Sequence, residues 1–226
     1  MAAQNVELQH LALKQEIIAT CLKLEELGFT IGTYGNVSAR VTEGLLVTPS
    51  RVDYAAMTPE DIVTVSLSGE VLNGIRLPSS EMDVHRLVYV NRPDVGGVIH
   101  SHSLYATALS CLHDTVPVMV EEQSQVIGDE IRCTQYVPAG QHLALGEEVA
   151  RALGSSNAVL LANHGTLSCG RSLAEALFAT RITERIAQMR LMTLGSGSIV
   201  PIPEEYVRSE RERWLYKYGT QADHQH

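Results

Sequence analysis

The run Val95-Gly96-Gly97-Val98-Ile99 leads straight into His100-Ser101-His102, and this junction limits what the chain can fold into. An apolar run of this length predicts an extended strand. In a strand, side chains two apart share a face, so His100 and His102 can reach one point with no turn between them. A third histidine, His164, follows another apolar run in Ala162-Asn163-His164-Gly165, where asparagine and glycine suit a tight turn at a strand end. Three neutral imidazoles around an open position are a recurring donor set for a catalytic divalent metal. His10, His113 and His142 lack such a setting and read as ordinary histidines, while His224 and His226 fall in a polar tail expected to be disordered from residue 220 onward.

Around this strand the hydrophobic period alternates between helical and extended. Residues 5–27 predict an amphipathic helix stopped by Gly28. Residues 37–41, 44–48, 61–66 and 71–72 predict short strands, the last two joined by a hairpin turn at Ser68-Gly69-Glu70. A helix is expected over 80–91, ending before Pro93, and another over 104–112. Short strands are expected around 118–121 and 131–136, a helix over 143–153, strands at 158–162 and 166–169, and a long helix from 172 to 194. The segment 204–219 predicts a last helix carrying Trp214, Tyr216 and Tyr218. Strands alternating with helices imply an α/β architecture, much of it antiparallel because of the early hairpins. Residues 1–226 read as one domain, with no linker composition and no repeat.

The charge balance narrows the partners. A net charge of -9 disfavours a nucleic-acid binder, which usually carries a basic face. No stretch reaches the roughly 20 apolar residues of a membrane span, and no basic-then-apolar leader is visible. Cys21, Cys111, Cys133 and Cys169 form no CxxC pair, so reduced thiols and a cytoplasmic location are expected.

A candidate anion site accompanies the histidines. Pro78-Ser79-Ser80-Glu81 opens a predicted helix, with Ser79 or Ser80 as N-cap and Glu81 complementing the helix dipole. The same geometry can hold a phosphate. Gly35-Asn36-Val37-Ser38 and Thr48-Pro49-Ser50 add small polar donors on loops. Each of these is ordinary turn chemistry alone and gains meaning only if the loops converge.

Taken in order, Gly35-Asn36-Val37-Ser38, Thr48-Pro49-Ser50, Ser79-Ser80-Glu81, His100-Ser101-His102 and Asn163-His164-Gly165 resemble the class II aldolase/adducin-like family. The resemblance extends from about residue 8 to 219. It implies a three-layer α/β/α sandwich with a central, largely antiparallel sheet, and a homotetramer with active sites at subunit interfaces. It implies Zn²⁺ on His100, His102 and His164, with Mn²⁺, Co²⁺ or Fe²⁺ as alternatives, since imidazoles accept several of these ions. Glu81 matches the family's acid/base carboxylate, which also serves as a fourth metal ligand. Asn36, Ser50, Ser79 and Ser80 match phosphate-binding positions, and Tyr218 matches a tyrosine that enters a neighbouring subunit's site. The implied reaction is cleavage of a ketose 1-phosphate to dihydroxyacetone phosphate and an aldehyde through an enediolate.

The alternative aldolase chemistry, a lysine Schiff base, is disfavoured: Lys14, Lys23 and Lys217 are the only lysines, on the first helix and in the tail. Three positions depart from the resemblance. Arg51 replaces a glycine of the phosphate loop, and its guanidinium can add a bidentate anion contact. Ala139 and Glu121 stand where aromatic residues are expected. Related reactions therefore stay open: sugar-acid phosphate decarboxylation, which Arg51 favours, epimerisation, which usually has aspartate in place of Glu81, and dehydration. A non-catalytic adducin-like assembly domain is disfavoured, because the full histidine set and Glu81 are present.

Overall fold

The computed structural model describes residues 2–218. Eight strands form one sheet: β1 (Asn36–Val41), β2 (Gly44–Val47), β3 (Val63–Ser66), β4 (Val71–Asn73), β5 (Gly97–Ser101), β6 (Arg132–Cys133), β7 (Ala158–Leu161) and β8 (Gly165–Gly170). Six α-helices accompany it: α1 (Ala2–Glu26), α2 (Met82–Asn91), α3 (Leu104–Ser110), α4 (His142–Leu153), α5 (Leu173–Thr193) and α6 (Glu204–Tyr216). The strand order is β4-β3-β2-β1-β5-β8-β7-β6. Every neighbouring pair is antiparallel except β6 with β7.

Alternation along the strands sorts side chains into two layers. Leu45 and Val47 of β2, Val98 of β5, Val159 and Leu161 of β7, and Leu167 and Cys169 of β8 pack with Val84 and Val88 of α2 and Leu145 and Val149 of α4. The intervening residues face the other way. Val37, Leu46 and Ile99 meet Ile17, Cys21 and Leu24 of α1, and Leu160 meets Ala106 and Leu109 of α3 and Ile182 and Ile186 of α5. The result is the expected α/β/α sandwich. By the same parity His100 lies on the Val98 face, toward the start of α2.

Several boundaries differ from the sequence reading. β5 ends at Ser101, so His102 lies one residue past the strand: its N–H leaves the ladder and donates to the Phe29 carbonyl at 2.9 Å. No strand forms over 118–121. The buried Gln123 side chain accepts the Met119 N–H at 3.1 Å, and the chain enters a π-helical turn at Gln123–Ile127. The strand expected over 131–136 shortens to Arg132–Cys133. The N-cap of α2 is Glu81 itself rather than either serine, and Ser79 Oγ accepts the Glu81 N–H at 3.3 Å. The tail expected to be disordered lies outside the described residues. Among those described, no helix is long and apolar enough to cross a membrane.

Candidate metal centre and anion cleft

Three elements deliver the histidines. His100 comes from the buried end of β5, and His102 from the step beyond it. His164 sits in the tight connection from β7 to β8, whose strands close with Leu161 opposite Gly165. That connection needs a left-handed residue, and Asn163 supplies it at φ 56°. The Asn163 side chain is held by His113 Nε2 at 2.5 Å from its Oδ1. His113 is thus not a bystander; it ties down the turn carrying His164. Gly165 allows the backbones to approach: a Cβ there would lie 2.5 Å from the Ser101 carbonyl oxygen.

The rings converge. Centroids of His100, His102 and His164 are 4.8 to 5.0 Å apart, and one ligand nitrogen from each lies within 4.8 Å of the others. His100 Nδ1 lies 3.0 Å from the Thr166 carbonyl, which only accepts, so Nδ1 carries the proton and Nε2 a lone pair. Burial is the main force pushing His102 to about 3 and His164 to about 4, so both rings are neutral near pH 7, as metal ligation requires. The donor set therefore fits a divalent metal.

Glu81 completes the centre from the head of α2. Its Oε2 lies 3.4 Å from His100 Nε2 and its Oε1 3.3 Å from His164 Nε2. Burial works against its charged form. The positive charge that the facing His100 and His164 rings carry when protonated, together with a 2.8 Å hydrogen bond from Asn36 Nδ2, outweighs that and brings it down to about 2. Asn36 reaches it because β1 pairs with β5 in a register that sets Asn36 directly opposite His100.

Beside the metal centre the polar loops meet. The Ser50 N–H donates to the Leu77 carbonyl and the Ser79 N–H to the Thr48 carbonyl, both at 2.9 Å, stitching the two loops together. Asn36, Ser50, Arg51, Ser79, Ser80 and Glu81 line the resulting cleft of about 390 Å³, which also reaches His102 and His164. Arg51 adopts φ 60°, an unusual value for a bulky residue. Glu81 and His164 also line a second cleft of about 200 Å³, whose wall holds Val137, Pro138, Ala139, Leu145 and Ala162 beside the polar Tyr136, Gln141, His142 and Asn163. A polar pocket and a more apolar one thus share the carboxylate and one imidazole.

Of the sequence-predicted site residues, only Tyr218 stands apart. It follows α6, is exposed, and packs at a tilt against Trp214 with centroids 4.8 Å apart. The sequence reading also passed over His85, fully buried one helical turn after Glu81, and Tyr34, whose ring centroid is 5.7 Å from that of His102. His85 carried a usable signal. Residues four apart on a helix share a face, as do residues two apart on a strand, so Glu81 with His85 and Asn36 with Ser38 form two matched pairs.

Comparison with known proteins bears on this arrangement. The model of the Class II Aldolase and Adducin N-terminal domain matches residues 15–191. L-fuculose phosphate aldolase of Haemophilus influenzae is 38% identical over 190 residues, covering 84% of this chain and 87% of the relative. The 5-methylthioribulose-1-phosphate/5-deoxyribulose-1-phosphate aldolase of Rhodospirillum rubrum is 34% identical and covers 94% of both chains. Among solved structures, an L-fuculose 1-phosphate aldolase superimposes with a TM-score of 0.86 at 33% identity, covering 92% of this chain and 99% of its own.

Proposed function

Because the chain belongs to the class II aldolase and adducin N-terminal domain family, and its aldolase relatives make it a lyase, we propose that it cleaves a ketose 1-phosphate to dihydroxyacetone phosphate and a small aldehyde. The observation that carries this reading is the adjacency of a three-imidazole centre and a polar cleft, with the Glu81 carboxylate facing both. In that cleft Asn36, Ser50, Ser79 and Ser80 offer amide and hydroxyl donors to the phosphate, and Arg51 adds a guanidinium at its edge.

His100, His102 and His164 would hold the metal, with Glu81 as a fourth ligand before substrate enters. Zinc suits this donor set, and Mn²⁺, Co²⁺ and Fe²⁺ are compatible with it. When bound, such an ion polarises the substrate carbonyl and offsets the negative charge that bond cleavage leaves on the adjacent carbon. Cleavage takes one proton from the hydroxyl that becomes the aldehyde oxygen and places one on that carbon. Glu81, protonated once substrate displaces it from the metal position, is the group that hands the proton to the carbon, and in the condensation direction it removes it. Asn36 holds the carboxylate at the right place for this exchange.

The aldehyde half falls to the second cleft. Its wall of Val137, Pro138, Ala139 and Leu145 supports an aldehyde with an apolar end over a polyhydroxylated one. Two further elements of this reading come from the family: a homotetramer in the cytoplasm, and Tyr218 entering a neighbouring subunit's site to protonate the aldehyde oxygen in the condensation direction and to receive that proton in cleavage. The exposed Tyr218 and the exposed Ile31 and Tyr34 support a subunit contact near the metal centre.

The deciding experiment is a substrate panel on the zinc-loaded protein, with dihydroxyacetone phosphate measured by a coupled assay. Ketose 1-phosphates ending in a methyl or thioether group should be cleaved with higher kcat/KM than their hydroxylated counterparts. Release of CO₂ from a sugar-acid phosphate, with no ketose 1-phosphate cleaved, would replace this reading with decarboxylation.

A further inference from the structure

Behind Glu81 runs a buried chain of hydrogen bonds with a single consistent direction. Asn36 Nδ2 lies 2.8 Å from Glu81 Oε2, and an amide nitrogen only donates, so Asn36 turns its NH₂ toward Glu81 and its carbonyl oxygen inward. That oxygen lies 2.5 Å from His85 Nε2, so Nε2 carries the ring's proton. His85 Nδ1 is then a bare acceptor, and Ser38 Oγ donates to it across 2.6 Å. Tyr89 closes the chain by donating from its hydroxyl to Ser38, whose Oγ and carbonyl oxygen each lie at 2.9 Å. His85, Ser38 and Tyr89 are almost wholly excluded from solvent and all belong to β1 or α2. Water has no access to substitute for the links among these three residues.

We propose that His85 is a positioning residue which, through its Nε2–H, fixes the Asn36 amide with both N–H bonds available to Glu81 and to an anion in the cleft. An asparagine amide can flip, and its flipped form would turn a carbonyl oxygen toward a carboxylate and an incoming phosphate. His85 opposes that flip because the flipped amide would set its N–H bonds against Nε2–H, a clash relieved only if the ring changes tautomer and the Ser38 hydroxyl reverses with it. The residue thus sets anion affinity without touching the anion. This step rests on the proposal that the cleft takes a phosphate, but the ring's tautomer does not.

The test uses the full-length zinc-loaded protein and inorganic phosphate as probe, with affinities measured by calorimetry. His85→Leu, which keeps the volume and removes the donor, should weaken phosphate binding about tenfold, the worth of one hydrogen bond. His85→Gln, whose amide nitrogen can stand near Nε2, should stay within about threefold of wild type, less than one hydrogen bond's worth. In an Asn36→Ala background, His85→Leu should add nothing. Equal weakening by leucine and glutamine, or an undiminished leucine effect without Asn36, would reduce His85 to a packing residue and overturn the proposal. Should the wild type bind no phosphate, the anion reading of the cleft fails on its own. Nitrogen-15 NMR of the His85 ring then decides, a protonated Nε2 with bare Nδ1 supporting the relay and the opposite tautomer overturning it.

Discussion

His100 Nε2 and His102 Nε2 stand 3.0 Å apart at the end of β5. His100 spends its proton on the Thr166 carbonyl, so at least one of the two facing nitrogens is a bare lone pair. A cation between these rings turns a crowded contact into a shared one. The expected result is one divalent ion per chain by elemental analysis after zinc loading, lost in His164→Ala and His102→Ala. Chelation should lower the melting temperature of the wild type, since an ion that binds only the folded state stabilises it. Wild-type protein that retains no metal after loading and desalting would remove the centre from the mechanism.

Glu81 separates metal binding from turnover. Glu81→Gln preserves size and the three imidazoles but cannot exchange a proton with a carbanion. Metal content should stay near the wild-type value while kcat falls by at least about 100-fold, the usual contribution of a positioned acid/base group. Near-normal kcat with metal retained would exclude Glu81 as the proton carrier.

The parts of this centre differed in how readily the sequence disclosed them. His100, His102 and His164 were visible because a period-two pair and a glycine turn are local features. The convergence of the Thr48–Arg51 and Leu77–Ser79 loops was not, since it depends on two backbone hydrogen bonds between segments far apart in the chain. Helices and most strands followed their hydrophobic period. The failure at 118–121 came from one side chain, Gln123, offering the backbone a better partner than a neighbouring strand. His85 was missed because a histidine on a helix face is unremarkable until the strand opposite it is known.

The same histidine gives the fold an acid sensitivity. Burial, reinforced by His100 and opposed by Glu81, lowers its pKa from 6.5 to about 3. Between those values the unfolded chain binds a proton that the folded chain refuses. This contribution to stability is complete above pH 6.5 and is lost as pH falls toward 3. Glu81, lowered from 4.5 to about 2, adds a second loss below pH 4.5. Melting temperature should therefore decline from pH 6.5 to 4, and the slope should be shallower in His85→Gln at equal zinc loading. Parallel wild-type and variant slopes would show that His85 does not resist protonation.

Arg51 combines backbone strain with a charge at the cleft mouth. Its φ of 60° costs a side chain bearing Cβ roughly 1–2 kcal/mol, whereas glycine adopts it freely. A strained arginine in a turn otherwise suited to glycine needs a compensating use, and the neighbouring Ser50, Ser79 and Ser80 point to anion binding. Arg51→Gly should raise thermal stability by up to about 1 kcal/mol, part of the relieved strain being offset by glycine's greater freedom in the unfolded chain. It should also raise KM for the sugar phosphate while leaving kcat within about twofold, the signature of binding lost equally from ground and transition states. Arg51→Ala removes the guanidinium but keeps the strain, so it should show the KM effect without the gain in stability. If glycine stabilises the protein and KM does not move, the guanidinium has no part in holding the substrate and the cleft's serines and Asn36 carry the phosphate alone.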